Sequence, residues 1–537
     1  MSFETSTMRT AQPRNDREPL DANRQSDMSF LTNEDDKCGD NEKALEQPID
    51  EQDIEKQAQQ DLTTAAPVEE KDSSLVEFDG PEDPGNPKNW ATGNKIAITV
   101  SMGLMTFVVT FSSSIFAVAI TPVAEEYNIG TVTATLGVSL FLLGFVLGPI
   151  AFGPASEVYG RKIPLFSGYI VFAIFNIPVA VARNVETIML ARFLGGFAAS
   201  APLAVVGGAM ADLWDPVERA YAICAFAAGA FVGPVAGPIV GGFVTESYLG
   251  WRWTAWITLI MAALFGGIGL LIIPETSAAR ILQLRAKNLR FETKNWALHS
   301  KADEHQITAH TILTVYLVRP FVMIVQEPIL ALLTAYMSYL YGVIYLLFEA
   351  FPVSFHEQRG WSLGVSALPF TAFIVGILMG TGLMAYSTAT NFKRAYIKHG
   401  KPIPEERLPP MIIGAFILPI SFFWFAWTSN PNISWVPQVI SIAFIGMGCL
   451  VTFWQGMNYI IDCYGFYSNS AIAINTFLRS IFGAVFPLFA SKMYHRLGVP
   501  WATSLLAFLC VAFIPAPILF YKYGARIRAR SRFTPTG

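Results

Sequence analysis

This chain is poor in charge. Only 15% of its 537 residues are Asp, Glu, Lys or Arg, against 53% hydrophobic. Soluble proteins use about 25% charged residues, so an ordinary water-soluble globule is excluded. Cysteine is scarce too. Cys38, Cys224, Cys449, Cys463 and Cys510 show no paired spacing, and four fall in or beside apolar segments, so neither a disulfide framework nor a thiolate metal site is expected. The six histidines form no metal-like cluster with them. No Gly-x-x-x-x-Gly-Lys-Ser/Thr loop and no nucleophile elbow occurs, so nothing in the sequence points to an enzyme, a cofactor or an ATP-driven machine. No feature suggests a nucleic-acid partner.

What charge exists is unevenly placed. Residues 1–92 hold 23 acidic and 9 basic residues, a balance of −14, whereas the remainder carries 18 acidic and 28 basic residues, a balance of +10. The first 92 residues contain no apolar run and are rich in Asp, Glu, Gln, Asn, Ser and Pro, so they read as a disordered acidic tail. No apolar stretch follows the early basic residues, so the start does not read as a signal peptide.

From Asn94 onward the character changes. A membrane helix needs about 20 mostly apolar residues, and such runs fall near 95–120, 131–152, 163–182, 187–211, 220–244 and 252–273. After a hydrophilic stretch they resume near 327–352, 363–386, 409–428, 436–460, 469–491 and 501–521. The expected organisation is a tail (1–92), a six-helix half (93–273), a linker (274–325), a second six-helix half (326–522) and a basic C-terminal tail (523–537). With both termini in the cytosol, the cytosolic loops and C-tail would carry 20 Lys/Arg and the outer loops five, as the positive-inside rule requires. The sequon at Asn432 then lies outside, as a glycosylation candidate.

Two stretches carry most information. Gly153-Pro-Ala-Ser-Glu157-Val-Tyr-Gly160-Arg161-Lys162 joins spans 2 and 3 with almost no loop. Its cations have acidic candidates in Asp212 or Asp215 at the end of span 4, forming a cytoplasmic latch; the plainer reading is that Arg161 and Lys162 only set topology. In span 5, Gly229, Gly233, Gly237 and Gly241 recur every four residues, with Pro234, Pro238 and Gly242 beside them. That spacing makes a smooth stripe on which another helix backbone can lie closely, and the prolines bend the helix.

The first stretch resembles the loop 2–3 signature of the major facilitator superfamily. The second resembles the antiporter signature of its twelve-spanner drug:proton antiporter family. Asn86-Pro87-Lys88-Asn89-Trp90, Pro274-Glu275-Thr276, Arg285-Ala286-Lys287-Asn288-Leu289-Arg290, Glu349-Ala350-Phe351-Pro352 and Pro404-Glu405-Glu406-Arg407-Leu408-Pro409-Pro410 are similar to its fungal branch. Two positions depart from the pattern: Glu157 stands where Asp is usual, and Gly195, three residues after Arg192, stands where Gln is usual. The resemblance implies an all-α membrane fold of twelve helices in two pseudo-symmetric halves, with spans 1, 4, 7 and 10 around a central cavity. It implies proton-coupled efflux, by alternating access, of drugs, polyamines or a secondary metabolite, as a monomer in a lipid bilayer: plasma membrane first, vacuolar membrane second. A facilitator or importer of the same fold, or a non-transporting sensor, are the alternatives.

Ionisable residues inside spans are costly and mark function. Arg192, Glu349, Arg479 and Asp462 are the cavity and proton-coupling candidates, with Arg192 and Glu349 expected to be linked across the cavity; the plainer reading leaves Glu349 at the interface, permanently ionised in headgroup water. Arg479 is expected to bond backbone carbonyls or Asn475, with a role in substrate binding as the second reading. Ser112, Ser113, Ser114, Tyr341, Tyr345, Phe348, Trp454, Gln455, Asn458 and Asn475 are candidates for shaping a substrate site, where aromatic faces suit amphipathic or cationic compounds.

Overall fold

The computed structural model describes residues 74–304, 313–400 and 403–533. The expected disorder of residues 1–73 therefore lies outside the described residues. Regular secondary structure among the described residues is helical, apart from one isolated β-bridge between Leu75 and His299. This follows from solvent: in hydrocarbon each backbone N–H and C=O needs a partner, and a helix supplies them within one segment.

The first half comprises α1 (Thr92–Ile115), α2 (Thr131–Val158), α3 (Lys162–Ala180), α4 (Val185–Leu213), α5 (Pro216–Glu246) and α6 (Trp253–Ile272). The second comprises α7 (Pro328–Phe351), α8 (Pro369–Ser387), α9 (Leu408–Trp427), α10 (Trp435–Tyr464), α11 (468–497) and α12 (499–528). Ten described stretches are long and apolar enough to cross a membrane, and the last of them runs 94 residues, Trp435–Arg528. That run is broken at Gly465 (φ 44°) and Gly498 (φ 73°), both in the left-handed region that glycine tolerates. Divided there, it contributes α10, α11 and α12.

Packing repeats between the halves. α1 lies on α5, α2 on α4 and α3 on α4; six helices later, α7 lies on α11, α8 on α10 and α9 on α10. The halves meet through α2 against α11 and α5 against α8. Burial follows this plan. In α7, 78% of the most apolar window is buried, but in α6 only 28% is, so α6 faces lipid and α7 the interior.

The glycine stripe of α5 docks on α1. A Cβ on Gly233 would lie 2.7 Å from the Phe107 carbonyl oxygen, one on Gly237 2.8 Å from the Ile115 nitrogen, and one on Gly241 2.6 Å from Val118 Cγ2. Only glycine allows this approach, and Pro234 and Pro238 lie inside the same helix.

Residues 74–90, expected to be unstructured, are ordered by contacts with the linker. Asp83 caps its own turn, accepting from the Asp79 and Gly85 N–H groups at 2.8 and 2.6 Å. Arg285, on the linker helix Ala278–Thr293, pairs with Asp83 at 2.7 Å and also with Asp79. Backbone bonds between Val76, His299 and Ser74 complete the strap.

Candidate functional site

A cavity of about 300 Å³ lies between the two halves. Its mouth is at the α2–α3 loop, where the exposed residues Glu157 and Asn469 line it. Its walls run inward past Phe226, Phe231, Phe453 and Trp454 to Tyr341 and Tyr345. Beyond that depth the halves are closed on each other. Ser113 and Tyr345 share a hydrogen bond of 2.7 Å, and Ser139 donates to the Ala484 carbonyl at 2.7 Å. At the far end of α5, Glu246 accepts from Ser362 Oγ at 3.1 Å and from the Gly364 N–H at 2.9 Å.

The loop signature brings Arg161 against Asp212, one of its two acidic candidates. Arg161 Nε donates to Asp212 Oδ2 at 2.9 Å, Arg161 Nη1 donates to Ser156 at 3.0 Å, and the Glu275 carboxylate accepts from the Arg161 and Lys162 backbone N–H groups at 2.8 and 3.1 Å. Gly160 turns the chain at φ 86°, where a Cβ would strike Arg280 Cγ at 2.8 Å. Glu157 reaches across to the other half, accepting from Asn469 Nδ2 at 2.9 Å. The second half repeats the motif. Arg407, just before α9, donates to Asp462 in the last turn of α10 at 2.9 Å, and Glu405 pairs with Arg528. Asp462 is therefore held in an ion pair whose two side chains are each only 8% exposed.

Arg192 and Glu349 are not paired. The Arg192 guanidinium donates to the carbonyls of Gly137 and Ser112, both at 2.9 Å, and lies over the Phe116 and Phe141 rings. It ties α4 to α1 and α2, behind the cavity wall. Glu349 is half-buried at the far end of α7, close enough to Glu357 and His495 to interact electrostatically, and those two are joined at 2.9 Å.

Arg479 departs from the anchoring role expected first. It lines the cavity, its guanidinium over Tyr341 (5.4 Å) and Phe453 (5.2 Å), and makes no hydrogen bond to a carbonyl or to Asn475 among the described residues. Asn475 instead donates to Thr334 at 3.3 Å.

Of the expected substrate residues, Tyr341, Tyr345 and Trp454 line the cavity. Ser112, Ser113, Ser114, Phe348, Gln455, Asn458 and Asn475 are buried in helix packing outside it. Phe226, Phe231, Phe453 and Thr476 line it without having been singled out. Phe226 and Phe231 stand three residues before and two residues after Gly229, so the glycine stripe marked the helix that carries them but not which of its aromatic residues face the cavity. Asn432 is exposed in the α9–α10 loop. Among the described residues, no group of three or more His, Cys, Asp or Glu side chains is placed to hold a metal ion.

Comparison with known proteins bears on this geometry. Residues 102–487 match the family model described as Major Facilitator Superfamily. The citrinin biosynthesis cluster MFS transporter mrr1 of Monascus ruber is 53% identical over 465 residues, covering 86% of this chain and 93% of that protein. The cercosporin MFS transporter CTB4 of Cercospora nicotianae is 43% identical over 465 residues, covering 86% and 90%. Among solved structures, the proton:xylose symporter XylE bound to 6-bromo-6-deoxy-D-glucose aligns with a TM-score of 0.57 at 14% identity, covering 81% of this chain and 96% of that one. At that identity the likeness is one of fold.

Proposed function

The chain belongs to the Major Facilitator Superfamily, and from that premise we propose that it is a proton-coupled exporter of a small secondary metabolite, working by alternating access. The observation that carries this reading is the cavity between the halves, open at the α2–α3 face and closed beyond Tyr345. With that face in the cytosol, as the positive-inside count favours, this is the loading state of an exporter. Substrate enters from the side where it is made, the halves rock, and the Glu157–Asn469 contact and the two arginine–aspartate latches mark the face that then shuts. The relative named for the citrinin biosynthesis cluster, and the one named for cercosporin, favour a secondary metabolite over a nutrient.

Export against a gradient requires a second ion whose binding is reciprocally coupled. Glu349 is the proton-binding candidate, as the only carboxylate in α7 and near the closed end of the pathway. The plasma membrane is the proposed location.

The test is efflux from a pump-deficient host loaded with the product of a neighbouring biosynthetic route, with and without a protonophore. Export that collapses with the proton gradient in the parent protein, and is lost in Glu349→Gln, supports the reading. Export that ignores the protonophore makes the protein a facilitator and removes Glu349 from the mechanism.

A further inference from the structure

We propose that the central cavity is built for planar aromatic acids, whose carboxylate or phenolate docks on Arg479 while the ring system lies among Tyr341, Phe453 and Trp454. This deepens the transport reading of the same cavity and rests on it.

The case starts from the charges on the cavity wall. It carries three arginines, Arg161, Arg219 and Arg479, and one carboxylate, Glu157. Arg161 is committed to Asp212, and Glu157 accepts from Asn469 at the mouth. Arg219 sits in the first turn of α5, also near the mouth. Deeper in, the single charge is Arg479. It has no ion pair and no hydrogen bond among the described residues, and its Nε is shut away from water without a partner.

An arginine stays protonated in proteins, and a cation held inside a membrane protein without a counter-charge is costly. The other membrane arginines show how this chain meets that cost. Arg192, although its Nη2 has no partner, is bonded to two carbonyls, and Arg407 is paired with Asp462. Arg479 has only the faces of Tyr341 and Phe453. Its missing partner is therefore an anion that arrives in the cavity.

The ring faces exclude the opposite class. Aromatic walls alone would suit a cation, but here the guanidinium already covers two of them, and a second positive charge would meet it at close range. Polyamines and cationic dyes are disfavoured for the same reason. The rings left around Arg479 offer stacking surface to a flat aromatic skeleton.

Two dyes with one xanthene core separate the charge from the rings: fluorescein, an anionic carboxylate, and rhodamine 6G, a cationic ester. Equilibrium binding of each is measured on the full chain in nanodiscs, against empty nanodiscs. Fluorescein is expected to bind saturably and at least about tenfold more tightly than rhodamine 6G. Arg479→Gln should weaken fluorescein about thirtyfold or more and leave rhodamine 6G unchanged or tighter. Arg479→Lys, which keeps the charge, should lie between the parent and Gln. Equal affinity for the two dyes in the parent protein, absence of saturable fluorescein binding, or an unchanged fluorescein affinity in Arg479→Gln would each overturn the assignment. The dye comparison on the parent chain needs no variant to fold. Binding needs no gradient, so charge-selective binding without protonophore-sensitive efflux would sink the exporter reading alone. Protonophore-sensitive efflux without charge selectivity would sink this one alone.

Discussion

Three arginines of this chain show how little residue type alone decides. Arg192 is 4% exposed and spends its guanidinium on two carbonyls and two phenyl faces, so it acts as a brace between α4, α1 and α2. Arg161 is paired with Asp212, and Arg479 lines the cavity. The sequence alone placed Arg192 and Arg479 within spans, and Arg161 in the loop between spans 2 and 3 with Asp212 or Asp215 as its candidate partner. For the two span arginines it offered no means of telling brace from ligand, because that depends on which distant backbone the side chain meets. Removing the brace should therefore cost stability more than transport. Arg192→Gln is expected to lose about 2–3 kcal/mol, as expected when charged hydrogen bonds to buried carbonyls are broken, seen as a lower thermal midpoint of the purified protein. Transport per folded molecule should stay within about threefold of the parent. A variant that melts normally but transports nothing would return Arg192 to the coupling mechanism.

At the scale of elements, the strap between residues 74–90 and the linker helix is a second feature absent from the sequence reading. The acidic composition of the tail hides it: Asp79 and Asp83 belong to that acidic stretch, yet each meets Arg285 some two hundred residues away. The backbone N–H groups of Asp79 and Gly85, and then Arg285, hold the Asp83 carboxyl down at about 2, against an ordinary value of 3.8. A carboxylate with a lowered folded value stabilises the strap above the ordinary value, and loses that contribution as pH falls from about 4 through about 2. Between pH 5 and 8 the Asp83 contribution should therefore be flat. Asp83→Asn should accelerate proteolytic cleavage between residues 74 and 90 at pH 7, with little pH dependence across that window. Cleavage that is unchanged by Asp83→Asn would mean the strap is held by the Leu75–His299 bridge and not by its ion pairs. The glycine stripe is the contrasting case. Its four-residue period was legible because close helix approach is a local requirement written at every step. The Glu157–Asn469 contact was not, because it joins residues 312 apart across the two halves.

For the whole molecule, the repeated packing makes the two halves natural rigid bodies, and their two interfaces, α2 with α11 and α5 with α8, must open and close in turn if access alternates. In this state the end of α5 opposite the α2–α3 face is shut against the segment leading into α8. A Cβ on Gly242 would lie 3.5 Å from the Ala367 Cβ, inside the about 3.5–4.5 Å range that a disulfide spans. The nearby Leu363 carbonyl oxygen, 3.2 Å from that position, has to yield by a few tenths of an ångström. The four cysteines among the described residues are buried, so an introduced pair is not expected to compete with them readily. Gly242→Cys with Ala367→Cys should transport under reducing conditions and stop when oxidised, with the parent and each single variant indifferent to redox. Ligand binding from the α2–α3 face should survive oxidation, because the bond fixes the state in which that face is open. Loss of transport and binding together would point to distortion of α5. Full transport by a completely cross-linked protein would show that the halves do not part at this interface, and rocking about the cavity would have to be abandoned for a motion that leaves α5 and α8 joined.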